Sequence, residues 1–315
     1  GSIPESLFAT FQMTFAIITP ALMIGAFVER IKFSAMLIFL SMWLLVVYVP
    51  VTHWVWGGGI LSSWGTMDFA GGIVVHATAG TAALVTALTL GKRRGFPKSI
   101  TPPHSPILTM IGASMLWIGW FGFNAGSALG ANGGAGMAML VTHISAATAS
   151  LVWMFIEWRR FGKPSLIGIV TGMVAGLATV TPASGYIGVP GGLVLGFFGG
   201  LFCYLAVDYI RGKLQIDDSL DVFAVHGVGG ILGTLLVAFL ATSTFSGLGL
   251  AEGQTAVSQF FIQLKAVVLT VVWTSIFTYL ILKITSFIVP LRVDEQEEIE
   301  GLDLRSHGEK GYHSD

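Results

Sequence analysis

Two histidines lie inside apolar segments of this chain, His76 in GGIVVHATAGTAALV and His226 in LDVFAVHGVGGILGTLL. Each follows an aspartate by eight residues, Asp68 and Asp218 respectively. An ionisable group in the middle of a membrane-spanning helix is expensive and by default marks a pathway or a relay. A neutral imidazole offers one donor and one acceptor, and its charge changes near neutral pH. Two such rings in contact would form a short polar wire through an apolar passage. The wire could pass a proton or hydrogen-bond a small neutral molecule. Two histidines without clustered carboxylates or cysteines make a poor ligand set, so neither a metal nor a cofactor is expected. The single cysteine, Cys203, excludes an intramolecular disulfide and a cysteine-based metal site. No nucleophile, base and orienting group fall together in the apolar segments, so the chain does not read as an enzyme.

The second group is aromatic. Trp54 and Trp56 close one apolar segment just before GGG, and Phe11 and Phe15 share a helix face four residues apart. Trp120, Phe121 and Phe123 stand in WIGWFGFNAGS, which Ser127 closes. Any one of these rings reads as interfacial belt or ordinary packing. Together they read as a cation–π seat for a small cation, with the Ser127 hydroxyl accepting one hydrogen bond and the rings below excluding water. Asp68, in DFAGG before a helix, reads both as an N-cap and as electrostatic support for such a cation; Asp218 reads mainly as a cap. His53, His104 and His143 carry no assigned role.

The elements that must position these residues are membrane spans. Of 315 residues, 54% are hydrophobic and only 10% are charged. A soluble domain carries about 25% charge, so this composition describes an all-α polytopic membrane protein. The 41 glycines suit helices whose backbones approach closely. A net charge of −1 offers no field for nucleic acid. Apolar stretches of roughly bilayer length fall at about 5–28, 34–56, 71–91, 106–128, 136–158, 165–183, 190–211, 221–242 and 257–289. Connections holding Arg30 and Lys32, Arg93 and Arg94, Arg159 and Arg160, and Arg211 and Lys213 alternate with connections that hold no Lys or Arg. One orientation then satisfies the positive-inside rule throughout, with the chain beginning outside and its tail in the cytoplasm. The two His segments, half a chain apart, suggest a duplicated architecture meeting at a transport site. The chain opens GSIPESL and enters an apolar segment almost at once, as a chain with a missing upstream segment would.

The runs FQMTFAIITPALMIGAFVER, VWGGGILSSWGTMDFAGGIVVH, IGWFGFNAGSALGAN, EWRRFGKPSLIGIVTGMVAGLATVTPASGYI, DDSLDVFAVHGVGGILGT and EGLDLRSHGEKGY closely resemble the bacterial ammonium transporters of the Amt branch of the Amt/Rh superfamily. The resemblance covers essentially the whole chain. It implies a fold of eleven helices, built as a 5+5 inverted repeat plus a long final helix. Residues 1–290 correspond to the third to eleventh helices, residues 291–315 to a cytoplasmic tail, and roughly the first 90 family residues are absent.

The resemblance implies that Trp56 and Ser127, with Phe11 and Phe15 beside them, recruit ammonium. It makes Phe15 and Phe123 a stacked gate, His76, His226 and Trp120 the pore, and Asp68 a structural and electrostatic residue. It further implies a homotrimer in the bacterial inner membrane. The basic loops and tail would receive a PII-type (GlnK-like) regulatory protein. Ammonium, with methylammonium as an analogue, would be deprotonated and cross as ammonia with proton co-transfer, making net transport electrogenic. An ammonium sensor with little flux and a passive ammonia channel are the competing readings.

Overall fold

The computed structural model describes residues 2–100 and 102–312, and among these the regular secondary structure is all helical, with one isolated β-bridge between Ile31 and Arg292. The last three residues of the expected tail, 313–315, lie outside the described residues. In hydrocarbon a backbone must satisfy its own hydrogen bonds, which for these apolar segments leaves the helix.

Nine apolar helices follow in order: α1 (Glu5–Ile24), α2 (33–56), α3 (Gly72–Leu90), α4 (Pro106–Gly126), α5 (Gly133–Phe161), α6 (Leu166–Val180), α7 (Val189–Lys213), α8 (Phe223–Leu240) and α9 (Ala256–Ile288). A short α10 (Glu295–Glu300) lies in the tail. Eight of the nine are long and apolar enough to cross a membrane. The difference is α6, expected over 165–183, which has only 15 helical residues. Pro182 cannot donate a backbone hydrogen bond, so the helical ladder loses a donor there. The chain leaves the helix there as a buried turn over residues 181–186, and the Pro182 carbonyl accepts from the Phe69 amide at 3.0 Å.

Helix starts are set by short-range chemistry. Ser105, Asn132, Ser165 and Thr255 each accept a backbone N–H of the first turn through a side-chain oxygen. Four of the spans contain a π-turn, a local widening that hydropathy does not predict. Two of these, Gly72–Ala77 and Phe223–Gly227, carry His76 and His226.

The most buried helix is α3, and α8 crosses it at the centre of the bundle. Four helices, α4 to α7, lie between the two along the chain, so they run in opposite directions, as an inverted repeat requires. Their contact depends on glycine. A Cβ on Gly80 would meet the Gly227 backbone at 2.3 Å, and one on Gly230 would meet the His76 Cβ at 2.5 Å. α5, α6 and α7 pack by the same device, with Gly176 and Gly196 both seated against the Ser145 carbonyl. α4 is the least buried of the long spans and turns Ile107, Met115 and Ile118 outward.

Candidate functional site

At the end of the bundle away from the basic connections, the chain between α2 and α3 folds around Asp68. Its Oδ1 accepts the amides of Gly71 (2.9 Å) and Gly72 (2.6 Å), and its Oδ2 those of Ile73 (2.8 Å) and Val74 (3.1 Å). Four donors converge on one buried carboxylate at the positive end of α3, which offsets the cost of burying it. Gly71, at φ 116°, makes the turn that brings them in. The Trp56 indole N–H donates to the Asp68 carbonyl at 2.8 Å, so ring and cap form one unit. Asp218 holds the start of α8 more lightly, accepting the amides of Val222 (2.9 Å) and Phe223 (2.7 Å).

From Trp56 the rings form a continuous file. Phe15 lies against Trp56 (centroids 5.5 Å apart), Phe11 (4.9 Å) and Phe123 (4.4 Å). Phe123 in turn lies near Trp120 (5.3 Å) and His76 (6.0 Å). Phe11 seats on Gly126, where a Cβ would meet its ring at 3.0 Å, and that places it beside the end of α4. There the Ser127 hydroxyl donates to the Phe123 carbonyl at 2.8 Å, which leaves its oxygen lone pairs free to accept.

At the bottom of the file the two histidines meet. Their Nδ1 atoms are 3.2 Å apart and the rings stack at 14°. His76 is wholly buried and His226 is 7% exposed. Two neutral rings can share that bond only if one Nδ1 carries a proton and the other does not, so the pair holds opposite tautomers. The buried His76 Nε2 has no hydrogen-bond partner among the described residues. Trp120 lies flat on His76, at 8° and 5.4 Å, and its indole N–H donates to Thr181 Oγ1 at 2.9 Å. Thr181 belongs to the buried turn after α6 and carried no signal in the sequence as a partner of the site.

The structure thus brings Phe11, Phe15, Trp56, Asp68, Trp120, Phe123, Ser127, His76 and His226 into one connected assembly. Asp218 stands apart, capping the start of α8 on the basic side of the bundle. Its neighbourhood holds a network that sequence reasoning missed. Arg30, wholly buried, donates to Ser219 Oγ (2.8 Å) and to the carbonyls of Ala26 (2.9 Å) and Asp217 (2.6 Å). Burial pulls its guanidinium down to about 10, still charged at neutral pH. Arg93 closes on the Asp217 carboxylate and on Glu29 (2.7 Å). Burial alone would raise the Asp217 carboxyl; hydrogen bonds from Arg93 outweigh it and hold the group below the usual carboxylate range.

Residues 1–312 match the model of the Ammonium Transporter Family. The chain is 48% identical over 316 residues to a putative ammonium transporter of Methanothermobacter thermautotrophicus, covering 99% of this chain and 76% of that protein. It is also 48% identical to the ammonium transporter Amt1 of Archaeoglobus fulgidus, covering 98% and 78%. Among solved structures it superposes on one titled Sensor Amt Protein with a TM-score of 0.87 at 30% identity, covering 94% of this chain and 75% of that one. With Mep2 of Saccharomyces cerevisiae the TM-score is 0.81 at 37% identity, covering 93% and 70%. A match along nearly the whole chain, in sequence and in fold, establishes that this protein belongs to the ammonium transporter family, a family of transporters and not of enzymes.

Proposed function

We propose that this chain recruits ammonium at Trp56, Ser127, Phe11 and Phe15, removes a proton near the Phe15–Phe123 gate, and conducts ammonia past Trp120, His76 and His226. The observation that carries the reading is the contact between the two Nδ1 atoms at the foot of the aromatic file. The physical problem is charge. A cation near the bilayer centre is heavily penalised and neutral ammonia is not. Aromatic faces and the free Ser127 lone pairs suit a cation above the gate. The unpartnered His76 Nε2 suits a hydrogen-bonding neutral molecule below it. Asp68, buried beneath Trp56, adds negative potential on the side where the cation arrives. The histidine pair, with its opposite tautomers, supplies a path for the released proton, so net charge moves with the nitrogen. Potassium has nearly the size of ammonium but no proton to lose, so deprotonation is what rejects it.

The same reading places residues 1–290 in the cytoplasmic membrane of a bacterium, with the tail 291–315 on the cytoplasmic side and three copies per assembly. The connection after α3 and the tail enclose a groove of about 550 Å³ lined by Glu29, Arg93, Arg94, Ser99 and Asp303, which supports docking of a PII-type regulatory protein there. A sensor with little flux is the second reading, favoured by the likeness to the structure titled Sensor Amt Protein.

Current evoked by an ammonium pulse on proteoliposomes tests the proposal, run beside a potassium pulse and the His76→Asn/His226→Asn double variant. An ammonium-specific, histidine-dependent current is expected, and the double variant should lose discrimination against potassium. A double variant that keeps strong flux and still excludes potassium would overturn the relay. Absence of any current with outer binding intact would leave the sensor or a passive ammonia channel.

A further inference from the structure

Outside the aromatic file, two glutamines of α9 hold the chain that carries Asp68. Gln263 is wholly buried and uses its amide completely. Its Oε1 accepts the Met67 N–H at 2.8 Å while its Nε2 donates to the Met67 carbonyl at 2.7 Å, so the side chain pairs with both backbone groups of one residue. The same Nε2 also donates to the Thr234 carbonyl of α8 at 3.0 Å. Gln259, one turn earlier, donates to the Gly65 carbonyl at 3.0 Å and to Gln263 Oε1 at 3.2 Å. Met67 precedes Asp68, whose carbonyl receives the Trp56 indole. Hydrogen bonds from α8 and α9 to Gly65 and Met67, continued by the Met67–Asp68 backbone and the Trp56 bond, therefore tie this segment to the ring at the head of the file.

We propose that Gln263, supported by Gln259, is a positioning residue that sets substrate affinity at the outer site by fixing where Asp68 and Trp56 stand. The inference rests on the recruitment role assigned to Trp56 above. Residues 64–71 contain Gly65 and Gly71, both at positive φ, and form no regular helix. Such a segment has little rigidity of its own, so its geometry must come from what it is tied to. A glutamine amide is suited to the task because it presents a donor and an acceptor side by side, as a neighbouring β-strand would. Glutamate would keep the acceptor and lose the donor, setting its oxygens against the Met67 and Thr234 carbonyls. Methionine keeps the volume and loses both.

The test is methylammonium uptake by proteoliposomes, reading KM and Vmax separately for wild type, Gln263→Met, Gln259→Met and Trp56→Leu. Leaving buried partners unpaired should raise KM by about tenfold for Gln263→Met and by less for Gln259→Met, with Vmax per folded protein within about twofold. An unchanged KM in Gln263→Met, alongside a raised KM in Trp56→Leu, would overturn the inference and leave the recruitment reading standing. An unchanged KM in Trp56→Leu would strike the recruitment reading itself. Should the α9 variants fail to fold, hydrogen exchange on the wild-type protein decides. Strong protection of the Met67 amide supports the clamp, and exchange at the rate of an exposed loop refutes it.

Discussion

Asp68 and Asp218 each stand eight residues before a histidine and at the start of its helix, yet they carry different numbers of hydrogen bonds. Asp68 serves four amides and Asp218 serves two. An asparagine offers one acceptor oxygen in place of a carboxylate pair. Asp68→Asn therefore strands about two buried amides, a cost of about 2 kcal/mol or more, while Asp218→Asn strands about one. Thermal unfolding in detergent should show the larger drop in midpoint for Asp68→Asn; equal drops would refute the difference in capping. The eight-residue spacing was legible because capping and helix pitch are local. The Trp56 bond to the Asp68 carbonyl and the Trp120 bond to Thr181 were not, because hydropathy and motif spacing carry no information about which buried donor meets which acceptor.

At the scale of elements, the decisive event is the crossing of α3 and α8. The histidines touch because Gly80 and Gly227 let the two backbones close, with Gly230 lying on the His76 Cβ. Gly80→Ala places a methyl group within the Gly227 backbone, which no rotamer change can relieve. We expect a loss of about 1–3 kcal/mol in stability and a fall in histidine-dependent ammonium current of about tenfold or more, because the Nδ1 contact opens. Gly119→Ala on α4, with nothing within 4 Å of its added methyl, is the control and should match wild type. Equal currents in the two variants would mean that the crossing does not set the contact. The shortened α6 belongs at this scale as well. Apolar composition extended past Pro182, and the backbone chemistry of proline ended the helix before the hydropathy did.

Across the whole molecule, the basic end is tied together by charge. Arg30, Arg93, Asp217 and Glu29 join the connections after α1, α3 and α7. Because the Asp217 carboxyl is held below its ordinary range, its contribution to stability is complete above about pH 4. It is lost as the pH falls through the lowered value. Wild type should therefore lose stability with acid more steeply than Asp217→Asn below about pH 4, and parallel profiles would contradict the assignment. The tail is latched to the same end. Glu298 pairs with Arg292 at 2.7 Å and accepts the Arg94 amide at 2.7 Å, while the Val293 amide reaches the Arg30 carbonyl at 3.0 Å. Glu298→Ala should speed limited proteolysis within residues 293–307 by about tenfold without altering the helical core, since the opening is local. Unchanged cleavage would show that the backbone contacts alone hold the tail.

The amino-acid sequence by itself determined the all-helical membrane class, the places where most spans begin and end, and which rings and titratable groups were candidates for the site. These follow from local quantities: runs of apolar residues, caps, prolines and the alternation of charge between connections. Only the tertiary structure decided that Phe11, Phe15, Trp56, Phe123, Trp120 and the two histidines form one file, and that Gln263 holds its head in place. His76 and His226 are 150 residues apart and Gln263 is 196 residues from Met67. Whether such groups meet depends on how closely two helix backbones approach, and small residues set that distance through what they lack.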